Sequence, residues 1–172
     1  MYKRQEQALR DSESNLQAMF DVTPVALILV DENLVIRKAN KRAAYITGRG
    51  IEHIVNRTIG SGIGCPRSAD DAALCGHTPH CPACPYLQSL RQVIDGTKDS
   101  LATEFELPLS VLGMEYYRWL GIEVQPVTLD GRRHVIVAVE DATNRKLAEK
   151  ERKESQERLV LALDGAALGL WD

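Results

Sequence analysis

Phe20-Asp21-Val22-Thr23-Pro24-Val25-Ala26-Leu27-Ile28-Leu29-Val30-Asp31 is the stretch on which the fold turns. Val25–Val30 is a short, continuous apolar run, too short for a buried helix and of strand length. Asp31-Glu32-Asn33 supplies turn chemistry, and Leu34–Ala39 reads as a second strand, so the pair predicts a hairpin. Upstream, Leu9, Leu16 and Phe20 recur at helical spacing over residues 3–20, and that helix must stop before Pro24.

Working outward, Asn40 is placed to cap a helix that runs to about Ile46 and ends at Gly48. A short helical turn fits Ile51–Val55, and Tyr86–Ile94 has helical apolar spacing. Three strands follow: Ser100–Pro108, Met114–Val124 and His134–Glu140. Asp130-Gly131 signals a tight hairpin between the last two. The order β-β-α-α-α-β-β-β predicts an antiparallel sheet with helices packed on one face. Residues 144–163 form a charged helix with a thin apolar seam, suited to a solvated connection.

The chain has 172 residues, 44% hydrophobic and 26% charged, enough for one cored domain with flanking helices. A net charge of −3 without a basic patch argues against nucleic acid as a partner. No apolar run approaches bilayer length and the opening residues lack a signal-peptide core, so the segment is expected to be cytoplasmic without inserting in a membrane, whatever anchors its parent. No phosphate loop, hydrolase elbow or nucleophile–His–Asp set is present, so the segment itself is not expected to be an enzyme.

Between residues 60 and 85 the texture changes. Four of the seven prolines fall there, with Gly60, Gly62, Gly64 and Gly76, so neither a long helix nor a long strand fits. A loop of that length inside a domain needs something to organise it. Cys65, Cys75, Cys81 and Cys84 all lie in this segment, separated by nine, five and two residues. Such clustering reads as a metal site or thiol switch rather than a disulfide scaffold. Four thiolates suit tetrahedral zinc at about 2.3 Å, and equally an iron–sulfur cluster. His77 and His80 are alternative ligands, though four cysteines suffice. Cys81-Pro82-Ala83-Cys84 also has the form of a redox dithiol, without the usual thioredoxin-like surroundings. Tyr116, Tyr117 and Trp119 are candidates to line an organic-ligand pocket, Tyr116 and Trp119 foremost; aromatic alternation equally suits core or dimer packing.

The end of the chain echoes its beginning. Ser12–Asp21 and Ser155–Asp164 share serine, leucine, a large apolar residue and aspartate at one offset, so a second copy of the domain is expected to start near residue 155. That divides the chain into a helix or linker at 1–20, a domain at 21–143 with its insert at 60–85, and a connecting helix with the start of a second copy at 144–172.

The opening stretch, together with Ala39-Asn40-Lys41-Arg42-Ala43-Ala44 and Thr47-Gly48, resembles a PAS domain. Val137–Lys146 resembles that family's last strand and its aspartate–x–threonine junction into a signalling helix, and residues 155–172 resemble the start of another PAS domain. Over residues 12–146 the resemblance implies an α+β fold with a five-stranded antiparallel sheet in the order 2-1-5-4-3. It implies a homodimeric sensory module, with Asp141 and Thr143 coupling the sheet to the exit helix. It implies tandem placement beside further PAS domains and an output domain, a histidine kinase of a two-component system, a cyclic-dinucleotide enzyme or similar. The cysteine insert departs from ordinary members and resembles a cysteine-bearing subset in bacterial multi-domain sensor kinases. The flavin-binding cysteine motif of light-sensing members is absent, and no histidine is placed as a haem ligand. Three roles stay open: a metal-dependent or redox sensor, a zinc-stapled dimerisation module without sensing, and a thiol–disulfide switch at Cys81 and Cys84.

Overall fold

The computed structural model describes residues 2–68 and 75–168. Helix α1 (Tyr2–Val22) leads into strands β1 (Ala26–Asp31) and β2 (Ile36–Ala39). Helices α2 (Lys41–Thr47), α3 (Ile59–Ile63) and α4 (Pro85–Ile94) follow, then β3 (Leu101–Val111), β4 (Met114–Leu129), β5 (Arg132–Asp141) and the exit helix α5 (Thr143–Leu168). The five strands form one antiparallel sheet in the order β2-β1-β5-β4-β3, as the resemblance implied.

One face of the sheet is closed by the short helices. Ile28, Val30, Leu120, Ile122, Val124, Val135 and Val137 alternate inward and meet Leu87, Leu90 and Val93 of α4 and Ile59 of α3 in one core. Asn40 ties the N-terminal half to it. Its carbonyl accepts the amides of Leu27 and Ala43, while its Nδ2 donates to the carbonyls of Phe20 and Val25. One buried side chain thus caps α2 and fixes the end of α1 against β1.

Several boundaries differ from expectation for local reasons. β2 begins later than Leu34 because Asp31 Oδ1 accepts the amides of Asn33 and Val35, prolonging the turn, with Leu34 at φ +63°. β4 continues past Val124 through Pro126. β3 ends its pairing at Val124, so beyond it one side of β4 is a free edge where proline costs no ladder bond. Two hairpin turns have two successive positive φ values each, at Leu112-Gly113 and Asp130-Gly131. The second matches its sequence signal, whereas the first carries a leucine where turn residues are usual. The tail of the expected second copy, residues 169–172, lies outside the described residues.

Candidate functional site

Ser68 and Cys75 lie against α3. Gly60 permits this: a Cβ there would stand 2.6 Å from the Ser68 hydroxyl and 2.9 Å from the Cys75 sulfur. Gly64 ends α3 in the left-handed conformation, and Ser110 donates its amide to the Gly64 carbonyl at 2.7 Å, binding the segment to β3. A 3-10 turn at Cys81–Ala83 then leads into α4, with Cys84 as N-cap residue and Pro85 in the first turn.

All four cysteines open on a single cavity of about 270 Å³. All are free and partly buried. The remaining wall comes from α3, from Tyr86 and Leu87 at the start of α4, and from Glu106, Leu107, Pro108 and Tyr117 on the β3–β4 hairpin. The sulfur atoms meet different surroundings. Burial pushes the Cys75 thiol up to about 11 despite the Gly60 amide. For Cys81, burial works in the same direction but is outweighed: the Thr78 hydroxyl lies at 3.0 Å, the Gly76 amide donates at 3.2 Å, and Arg91 adds positive charge. The Cys81 thiol therefore ionises below its ordinary value.

Tyr86 is the orphan of the site. Its ring is 3% exposed and packs edge-on against Phe105, yet its hydroxyl has no hydrogen-bond partner among the described residues. Burial, then the nearby Cys75 and Cys84, push its ionisation upward, so it stays protonated and available as a donor. Nothing in the sequence singled it out, because a tyrosine at the start of an amphipathic helix reads as core.

Among the described residues no group of three or more His, Cys, Asp or Glu side chains is disposed to hold a metal ion. Cys65, Cys75, Cys81 and Cys84 share a cavity. The 9-5-2 spacing brings the residues to one place but does not set where each Cα–Cβ bond points. His77 and His80 are exposed, and His80 is part of the cavity lining. Tyr116 is 41% exposed where the hairpin projects past the helices, and Trp119 lies against Lys146 of α5. Neither lines the sulfur cavity; Tyr117 does.

Asp141 and Thr143 do meet at the sheet-to-helix junction. Asp141 pairs with Arg118 and accepts the Thr143 amide at 3.0 Å, while Thr143 Oγ1 accepts the Trp119 amide at 3.0 Å. The Ala142 amide donates to the Trp119 carbonyl at 2.8 Å. Partial burial pushes the Asp141 carboxyl up, but the Thr143 and Arg118 hydrogen bonds outweigh it and hold it below the usual carboxylate range. Glu104 of β3 pairs with Arg145 and Lys146, fastening the first turn of α5 to the sheet.

A family model described as a PAS domain matches residues 14–78. Among curated proteins, none matches the chain. Solved structures share the fold at low identity. The PAS domain of an HTR-like protein from Haloarcula marismortui is 16% identical with a TM-score of 0.56, covering 81% of this chain and 98% of its own. The PAS domain of Bordetella pertussis BvgS is 14% identical at 0.53, covering 86% and 98%. A PAS domain from a two-component sensor histidine kinase is 10% identical at 0.50, covering 77% and 97%. The family match is confined to the N-terminal part of the chain, and the same strand order shows that the chain shares the fold of these PAS domains.

Proposed function

We propose that this chain is a sensory and regulatory module of a multi-domain signalling protein of the sensor-kinase type. Its input is the sulfur cavity and its output is α5. One observation carries the reading. Three successive residues of β4 join the two sites: Tyr117 lines the cavity, Arg118 holds Asp141, and Trp119 bonds the backbone of Ala142 and the side chain of Thr143. A rearrangement of the cavity wall is thereby one residue from the contacts that set the helix. A change of a few kcal/mol in favour of one wall arrangement is enough to shift a two-state population. No helix among the described residues is long and apolar enough to cross a membrane.

Two forms of input suit the cavity. Thiol chemistry is favoured by the donors gathered on Cys81. Coordination of zinc or an iron–sulfur cluster is favoured by four cysteines on one cavity, and it requires them to draw together around a common centre. Metal and sulfide analysis after anaerobic purification separates the two.

The coupling is tested on the chain itself by alkylating its cysteines and following amide hydrogen exchange over residues 143–150. In the wild type, alkylation changes exchange at the start of α5; in Asp141→Asn the response is lost. Unchanged exchange in the alkylated wild type would refute the sensory reading. Asp141→Asn also lowers stability by ~1 kcal/mol at neutral pH, the worth of a cap and a partly exposed ion pair. Because the folded carboxyl ionises below its unfolded value, its contribution is present above about pH 4 and is lost as pH falls through the folded pKa. Wild type and variant therefore converge in acid.

A further inference from the structure

We propose that Cys81 and Cys84 are a dithiol–disulfide couple, with Cys81 as the attacking thiol and a small-molecule disulfide as the oxidant. The inference rests on the sulfur cavity being the input and specifies its chemistry. Geometry allows the bond. The Cys84 amide donates to the Cys81 carbonyl at 3.1 Å, closing a 3-10 turn. Three residues at about 2.0 Å rise separate the Cα atoms by about 6 Å, inside the span a disulfide bridges. Both residues line the same cavity, so a small disulfide meets both.

The two thiols are not equivalent. Cys81 Sγ has the Gly76 amide and the Thr78 hydroxyl within hydrogen-bond distance, at 3.2 and 3.0 Å. Arg91 crowds Gly76, where a Cβ would stand 2.6 Å from its Nη2, so a guanidinium borders the turn that supplies those donors. Cys84 is the N-cap residue of α4, and its side chain makes no capping bond there, which leaves it free to turn toward Cys81. Cys75 sits beneath Gly60, and Cys65 also borders a second cavity beside Arg49 and Ser110.

The reaction balances as two exchanges. The Cys81 thiolate attacks one sulfur of R–S–S–R, forming Cys81–S–S–R and releasing RS⁻. The departing thiolate takes the Cys84 proton. The Cys84 thiolate then attacks the Cys81 sulfur and expels the second RS⁻. Two cysteine thiols are oxidised and one small disulfide is reduced to two thiols. The new bond lies at the N-cap of α4, whose Tyr86, Leu87, Leu90 and Val93 are buried, so the redox state of the turn acts on a core helix.

The test treats the reduced chain with oxidised glutathione, quenches with acid and maps the products by mass spectrometry. The expected product is a Cys81–Cys84 disulfide. Cys84→Ser should trap glutathione on Cys81, while in Cys81→Ser glutathione should reach Cys84 at least tenfold more slowly. Thr78→Val keeps all four cysteines and should slow the first exchange several-fold, which keeps the test valid if a serine variant does not fold. Equal rates at the two thiols, a bridge between other cysteines, or an unchanged rate in Thr78→Val would overturn the proposal. If mapping fails while alkylation still alters exchange in α5, the couple is wrong and the sensory reading survives. If the alkylation response is absent, the sensory reading itself fails.

Discussion

Asn40 and Tyr86 are both buried polar side chains packed under the same sheet, and they are treated in opposite ways. Asn40 is fully buried and fully used, with two acceptor and two donor bonds, all to backbone. Tyr86 is almost as buried, it lines a cavity with four thiols, and its hydroxyl has no partner among the described residues. A saturated polar knot rigidifies; an unsaturated one is a cost that folding alone does not justify. The contrast separates the framework end of the molecule, where α1, β1 and α2 are knotted, from the end where chemistry is left open.

The largest effect should come from cutting the knot. Asn40→Ala removes the α2 cap and strands the amide of Leu27 and the carbonyls of Phe20 and Val25. The expected loss is about 3 kcal/mol, from a lost cap together with unsatisfied buried groups. Chemical denaturation measures it. A loss below ~1 kcal/mol would mean that water replaces the side chain and that the knot is not rigid.

The opposite variant sharpens the contrast. Tyr86→Phe keeps the ring and its edge-on contact with Phe105 while deleting only the orphan hydroxyl. Stability should rise by ~1 kcal/mol, since an unpartnered buried hydroxyl carries an uncompensated desolvation penalty. Destabilisation would show that the hydroxyl has a partner in solution, and the two polar sites would then differ less than the geometry implies.

That contrast was half legible in the sequence. Asn40 and Gly48 announce a capped helix because capping is local: a side-chain acceptor three residues before an amide, and a residue that tolerates positive φ. Asp130-Gly131 likewise names its own turn. The course of β4 through Pro126 was not legible, because whether proline is tolerated there depends on where a different strand stops pairing. The sulfur site was legible as a place and not as a geometry. Residue spacing gathered the four cysteines, but the donors on Cys81 come from Gly76 and Thr78, whose roles exist only once the turn has closed. Tyr117 and Tyr86 enter the wall by packing, which a strand or helix period reports as core or surface without saying against what.

The smallest expected effect lies at the tip of the β3–β4 hairpin, beyond both polar sites. Leu112 has φ +52° and is 94% exposed, so it bears left-handed strain and gains almost no burial in return. Asn visits that region at lower cost because its short polar side chain bonds locally. Leu112→Asn should raise stability by about 0.5–1 kcal/mol while leaving thiol reactivity and α5 exchange unchanged, since the tip touches neither the knot nor the sulfur cavity. A gain confined to stability would mark the tip as ordinary scaffold. A change in Cys81 reactivity would instead extend the open end of the molecule along the hairpin, because Tyr117 on the cavity wall lies five residues from Leu112 in the same hairpin.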